Sequence, residues 1–293
     1  MNGELCTACP RKCNTDRSVR PGSCGAGSAI RIARVGLHPW EEPCISYGKG
    51  SGTIFFSGCN LRCVFCQNHE ISHQTKGREV DAGTLAREML KLRDRGAANI
   101  NLVTPSHYTE RIREALLEVK PELGIPVVYN SSGYDSIEAL RRLEGLVDIY
   151  LPDLKYRSEK LSSRYSGAAD YFAVAAAALE EMYRQRGYAV FDGQGHMTGG
   201  VLMRHMVLPG CCHDSLVLLD ELAVRYDPAR FAISLLNQYF PAHRAAEFPE
   251  LNRRLTSFEY KKVVAHAQDL GFCVGFVQER SAAKEEYVPD FDY

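Results

Sequence analysis

Short apolar or β-branched runs alternate along this chain with stretches in which apolar residues return every three or four positions. Residues 53–56, 100–103, 127–130, 148–151, 202–208 and 231–236 have the character of buried strands. Residues 84–95, 110–120, 136–143 and 215–226 carry helical spacing, and the alanine-rich stretch 168–186 predicts a longer helix between the fourth and fifth strands. Alternation of this kind builds βαβ units and a parallel sheet. Six such units predict an α/β fold, a partial (β/α)6 barrel of the TIM type whose site lies at the carboxyl ends of the strands. The glycine-rich stretch 193–200 predicts a mobile loop that would serve as a lid near that site. The charged, aromatic tail 281–293 is expected either to close over the barrel or to stay disordered.

At 293 residues the chain can bury one large core as a single barrel. A formal net charge of −1 gives no case for nucleic acid or an anionic membrane as partner. No run approaches the ~18 apolar residues of a membrane span, and Met1-Asn2-Gly3-Glu4-Leu5 lacks a basic-then-apolar signal, so the expected location is cytoplasmic. Eleven cysteines in such a chain point to reduced thiols and metal rather than to disulfides.

Three of those cysteines follow the first strand, in Ser57-Gly58-Cys59-Asn60-Leu61-Arg62-Cys63-Val64-Phe65-Cys66-Gln67-Asn68. A [4Fe–4S] cube normally takes four thiolates, so Cys59, Cys63 and Cys66 in one short loop leave one iron open, as catalytic metal sites do. The structural alternative is a zinc loop, which normally pairs CxxC units and fills all four positions. The CxxxCxxC spacing, the aromatic before the last cysteine and the Gly-Cys-Asn-Leu-Arg lead-in resemble the radical S-adenosylmethionine (SAM) superfamily, in particular the branch like pyruvate formate-lyase activating enzyme. The resemblance implies a [4Fe–4S] cluster whose open iron chelates SAM. Reductive cleavage of SAM would then give a 5′-deoxyadenosyl radical that abstracts hydrogen from a substrate.

The resemblance extends to the ends of the later strands. After the second strand, Val103-Thr104-Pro105-Ser106 stands where the wider family has a Gly-Gly-Glu-type turn, and backbone carbonyls around Thr104 would substitute for it in receiving the SAM amino group. After the third, Tyr129-Asn130-Ser131-Ser132-Gly133 places Asn130 and Ser132 where family members contact SAM, although the same residues suit a helix cap. The fourth ends in Asp153-Leu154-Lys155, similar to the family's Asp-x-Lys signature, with both charges on one face of the strand. The alternative there is a mutual structural ion pair. The fifth resembles the Arg-x-x-x-x-Pro-Gly strand and offers Arg204 as a carboxylate clamp and His205 beside it. Adjacent strand residues face opposite ways, so a structural role for His205 stays open. After the sixth, Gln238 and Tyr239 would line the substrate pocket or pack as ordinary loop residues.

Cys6, Cys9, Cys13 and Cys24 open the chain among turn formers and few core residues, the pattern of a cysteine-rich metal knuckle holding zinc or an auxiliary iron–sulfur cluster. The expected organisation is an extension over residues 1–48, the barrel over 49–280 and the tail over 281–293. Three functions follow. The first is an activator that abstracts hydrogen from a glycine of a glycyl-radical enzyme, fed by a reductant such as flavodoxin or ferredoxin. The second is a radical SAM enzyme acting on a small molecule or on another protein or peptide. The third is a metal-stabilised binding protein with purely structural cysteines.

Overall fold

The computed structural model describes residues 5–278 and Phe291. The chain runs β1 (Ile30–His38), β2 (Ser51–Phe56), α1 (His69–Ser72), β3 (Arg78–Val80), α2 (Ala82–Asp94), β4 (Ile100–Val103), α3 (Thr109–Leu123), β5 (Val127–Ser131) and α4 (Ile137–Arg142). It continues through β6 (Ile149–Pro152), α5 (Glu159–Ser166), α6 (Tyr171–Arg186), β7 (Val190–Phe191), β8 (Met197–Met206), α7 (Cys212–Arg225), β9 (Ala232–Leu236), α8 (Ser257–Asp269) and β10 (Gly275–Val277). These strands form one sheet in the order β10-β9-β8-β6-β5-β4-β2-β1-β3, with β7 attached to β8. The six expected strands are β2, β4, β5, β6, β8 and β9. They are parallel neighbours in that order, and β10 adds a seventh parallel strand. On the other edge β1 pairs antiparallel with both β2 and β3. The two end strands do not pair among the described residues, so the barrel is open.

Alternate strand residues face opposite sides, and both sides are buried, as parallel sheets require. Outward, Tyr129, Tyr150, Val201 and Met203 pack with Leu116, Leu140, Leu179 and Leu219 of the surrounding helices. Inward, Val128, Ile149, Leu151, Leu202 and Ala232 enclose Cys44 and Ile45, which come from the connection between β1 and β2. That connection is a plug. Its backbone polar groups are satisfied inside the barrel: Met197 N–H donates to the Cys44 carbonyl (2.9 Å) and Asn99 Nδ2 to the Ile45 carbonyl (2.7 Å).

The plug defines the floor, and the glycine-rich stretch 193–200 belongs to it. The expectation of a lid is corrected here: the stretch is the β7–β8 hairpin, with Val190 opposite Gly199. Gly200 pairs with Ile149 at the start of β6, the amino end of the sheet and the far end from the cysteine loop. His196 stacks on Tyr47 of the plug at 3.6 Å. The helix expected from 168 begins at Tyr171, because Gly167 caps α5 in the left-handed region and the chain turns there. The tail expectation lies outside the described residues except for Phe291, whose ring meets Phe55 edge-on at 5.6 Å. Among the described residues no helix is long and apolar enough to cross a membrane.

Candidate active site

The loop carrying Cys59, Cys63 and Cys66 leaves the carboxyl end of β2 and is pinned by its own apolar residues. Leu61, Val64 and Phe65 are buried among the helices, and Val64 N–H donates to the Tyr165 carbonyl (2.8 Å). Asn60 Nδ2 donates to the Tyr134 carbonyl (2.6 Å). Each sulfur has a hydrogen-bonding neighbour: Ser166 Oγ lies 3.0 Å from Cys63, Ser72 Oγ 3.2 Å from Cys66, and Leu61 N–H donates to Cys59 (3.4 Å). Burial pushes the Cys59 thiol up to about 12 and Cys66 to about 11, helped by the neighbouring Cys63 charge. Without a bound cation these groups stay protonated at neutral pH. A metal that binds them displaces the protons, and the hydroxyl and amide donors then stabilise the thiolates. Among the described residues no three His, Cys, Asp or Glu side chains converge as ligands of one ion would. A cube makes no such demand, because it takes each thiolate on a different iron.

Cys63 and Cys66 form one wall of a cavity of about 700 Å³ inside the open barrel, within the range of ligand sites. Asn130, Asp153, Lys155 and Arg204, from the ends of β5, β6 and β8, line the same cavity, with Gln238 beyond β9. Asp153 accepts from Arg204 Nε (2.9 Å) and from Lys155 Nζ (2.6 Å). Arg204 also donates to Asn130 Oδ1 (2.6 Å) and to Glu41 (3.2 Å). Burial alone would raise the Asp153 carboxyl, but the Arg204 and Lys155 cations together hold it below the usual carboxylate range. Burial would likewise discharge Lys155, and the Asp153 charge outweighs it.

Glu41 and Glu42, on the plug, line the same cavity. Glu42 is 6% exposed, and one of its carboxylate oxygens has no hydrogen-bond partner. Burial raises Glu42 to about 7, opposed by Arg204 and reinforced by the Glu41 charge. The set of Glu41, Glu42 and Asp153 against Lys155 and Arg204 is one acid in excess when all are ionised.

Of the residues singled out in the sequence, Cys63, Cys66, Asn130, Asp153, Lys155, Arg204 and Gln238 share the cavity. Cys59 lies within electrostatic reach of the other two cysteines. His205 is turned to the helix side, as strand alternation requires. Its ring nitrogens meet the Leu154 carbonyl (2.7 Å) and Ser215 Oγ (2.9 Å), so it fastens β8 to α7. Tyr239 is buried with its hydroxyl donating to the Leu251 carbonyl (2.6 Å). Thr104 and Ser132 are likewise absent from the cavity lining. Thr104 takes φ 60° and gives its N–H to the Asn130 carbonyl (2.9 Å). The hydroxyl of Ser132 is buried without a partner. Cys6, Cys9, Cys13 and Cys24 are not in the lining either, yet the Cys24 carbonyl accepts the Cys59 N–H (3.1 Å).

Glu41, Glu42, Ser72 and Ser166 went unrecognised in the sequence. The first two sit between prolines in an apparent loop, and the serines carry no spacing signal.

An uncharacterized protein of Methanocaldococcus jannaschii is 30% identical over 275 residues, covering 90% of this chain and 74% of its own length. The pyruvate formate-lyase-activating enzyme of Clostridium pasteurianum is 27% identical over 108 residues, 33% of this chain and 43% of that enzyme. This chain therefore matches less than half the length of the clostridial enzyme. A spore photoproduct lyase variant solved with AdoMet and a dinucleoside spore photoproduct shares the fold, with a TM-score of 0.54 at 13% identity over 83% of this chain and 79% of that one. A model of the radical SAM superfamily matches residues 53–199, from β2 into β8. That match covers half of the chain and takes in the cysteine loop, most of β2 and all of β4, β5 and β6, so the chain belongs to the radical SAM superfamily.

Proposed function

We propose that Cys59, Cys63 and Cys66 hold the [4Fe–4S] cluster and that Asn130, Asp153, Lys155 and Arg204 bind and orient SAM beside it. The observation that carries this reading is the shared cavity, lined both by two of the cysteines and by the hydrogen-bonded Asp153–Lys155–Arg204 group. When bound, the cluster and SAM together supply a 5′-deoxyadenosyl radical for hydrogen abstraction. The protein's residues do the rest. Lys155 and Arg204 present fixed cations to a carboxylate, the second as a planar fork, while ionised Asp153 holds both in place and faces the positive end of the ligand. Ser72 and Ser166 donate to thiolate sulfur, which sets the cluster's potential. Phe65, Val103, Met206 and Leu236 give the cavity apolar walls that exclude water and competing hydrogen donors. In this reading residues 49–280 are the catalytic barrel, and the extension 1–48 supplies its floor.

The substrate proposed first is a glycine of a glycyl-radical enzyme, with flavodoxin or ferredoxin as electron donor. The CxxxCxxC loop, the Asp153-Leu154-Lys155 signature and the partial likeness to the clostridial activating enzyme support it. The floor favours a second reading. Glu41 and Glu42 place an excess acid where the plug lines the cavity, which suits a small molecule or another peptide carrying a cationic group. To separate them, the reduced enzyme is incubated with SAM and candidate glycyl-radical proteins. A protein radical signal in the partner supports activation; deoxyadenosine formed without one contradicts activation and supports the second reading.

A further inference from the structure

The segment from Leu5 to Ser28 is ordered without a core of its own. Its buried side chains are Cys9, Thr15, Cys24 and Ala26, while its larger apolar residues Leu5 and Val19 are 59% and 80% exposed. Its strand pairing among the described residues is a single bridge between Leu5 and Asp16. Ordering a residue costs on the order of 1–2 kcal/mol of backbone entropy, and so little apolar burial does not offset two dozen such costs. Short segments of this kind are held by disulfides or metal. Here the cysteines are free thiols.

The four thiols are also gathered together. A Cβ placed on Gly22 would lie 3.3 Å from Cys13 Sγ and 3.6 Å from Cys24 Sγ, so the chain between these cysteines passes close against both sulfurs. Asn14 N–H donates to the Cys6 carbonyl (3.2 Å) and Lys12 N–H to the Cys9 carbonyl (3.0 Å), so the backbone ties Cys6 and Cys9 each to a chain neighbour of Cys13. Arg17, 4.0 Å from the Cys6 sulfur, supplies a cation next to what becomes an anionic site when thiolates bind metal.

The same segment is fastened to the radical-cluster loop at successive residues. Cys59 N–H donates to the Cys24 carbonyl (3.1 Å), Arg11 Nε to the Asn60 carbonyl (2.7 Å), and Arg62 to the Ser23 carbonyl. Gly58 adopts φ +87°, and a Cβ there would meet the Cys24 carbonyl oxygen at 2.7 Å, so the two backbones touch where a larger residue would part them. Arg11 also reaches the Gly167 carbonyl (2.6 Å), next to Ser166, whose hydroxyl contacts the Cys63 sulfur.

From this we infer that Cys6, Cys9, Cys13 and Cys24 form a second site for an iron–sulfur cluster, which takes each thiolate on a different iron, and that its occupancy holds the Cys59–Cys66 loop in the geometry that accepts its own cluster. The inference rests on the proposed role of that loop. Metal at the second site fixes Ser23 and Cys24. Through the Cys24 carbonyl and Arg11 it fixes the backbone of Cys59 and Asn60, and so the first cluster ligand.

The test uses the full chain prepared and reconstituted without oxygen, with Cys9→Ser compared to wild type and to Cys273→Ser, an exposed thiol outside both groups. Iron, acid-labile sulfide and zinc are counted, and the reduced cluster is followed by electron paramagnetic resonance with and without SAM. Wild type is expected to hold about eight irons and eight sulfides, about four of each as a second increment beyond the radical cluster, and zinc in place of that increment would overturn the cluster assignment. Cys9→Ser loses that increment, and affinity for the radical cluster falls about tenfold, as when an outer-shell support is removed, with far-ultraviolet circular dichroism unchanged. Should Cys9→Ser fail to fold, Arg11→Ala leaves every cysteine in place: it keeps the second metal and weakens radical-cluster loading. No second increment in wild type, or its loss with cluster loading and the SAM-induced spectral change intact, overturns the inference. Wild type that holds the second metal but never takes up iron and sulfide at Cys59, Cys63 and Cys66 overturns the proposed function instead.

Discussion

The two ends of the barrel's interior are built on opposite plans. At the rim, the polar residues that line the cavity come one or a few at a time from the ends of β2, β5, β6 and β8. Their partners are hydroxyls and opposite charges, so each stays polar, oriented and open to the cavity. At the floor, one irregular segment carries both the seal and the charge: Cys44 and Ile45 fill the inner core, and the adjoining Glu41 and Glu42 face Arg204. Rim chemistry therefore depends on single side chains, and floor integrity on the placement of a whole segment.

The largest effect expected from this contrast is at the rim. Cys63→Ala removes one thiolate without opening the packing around Leu61 and Phe65, so SAM cleavage falls to background while thermal stability holds. Deoxyadenosine production alongside a melting curve checks both; retained cleavage breaks the rim half of the comparison. At the floor the balance reverses. Ile45 is fully buried, and Ile45→Ala leaves a cavity costing about 2–5 kcal/mol, while iron and sulfide still load at the rim. Denaturant unfolding and metal analysis of the same preparation read the two halves separately.

Glu42 joins the two ends and gives the floor a pH dependence. Because burial raises its folded value to about 7 from an ordinary 4.5, the folded state binds its proton more tightly than the unfolded chain does. Its contribution to stability is full below about pH 4.5 and is lost as pH rises through about 7, by up to ~3 kcal/mol in total. Glu42→Gln removes that slope, so its gain in melting temperature over wild type is larger at pH 8 than at pH 5. A gain independent of pH would show that Glu42 is ionised throughout. The smallest effect is at Ser166. Ser166→Ala deletes the hydroxyl at Cys63 and makes the cluster harder to reduce, a negative shift in midpoint potential with SAM affinity preserved, measured by redox titration.

The same contrast explains what was legible in the sequence. Rim chemistry is local: the cysteine spacing and Asp153-Leu154-Lys155 sit within a few residues of a strand end, and the six parallel strands announce themselves as apolar runs. The expected strand at 148–151 is found as Ile149–Pro152, and that at 127–130 as Val127–Ser131. The floor was not legible. His38-Pro39-Trp40-Glu41-Glu42-Pro43 has the composition of an exposed turn, and only the inward residues of distant strands make it a plug. Strand β1 and its antiparallel pairing were missed because they lie in what reads as an appended cysteine-rich piece. His205 was drawn to the site by its neighbour Arg204, although strand alternation sends the two to opposite faces.

The proposed function stands or falls with the loop after β2 as the seat of radical SAM chemistry. Its most direct test is 5′-deoxyadenosine released from SAM by the reduced, oxygen-free enzyme loaded with about four irons and four sulfides at this loop. Deoxyadenosine formation that depends on both the reductant and Cys63 would bear out the proposed role of the loop. Full cluster loading with no deoxyadenosine formed would contradict it.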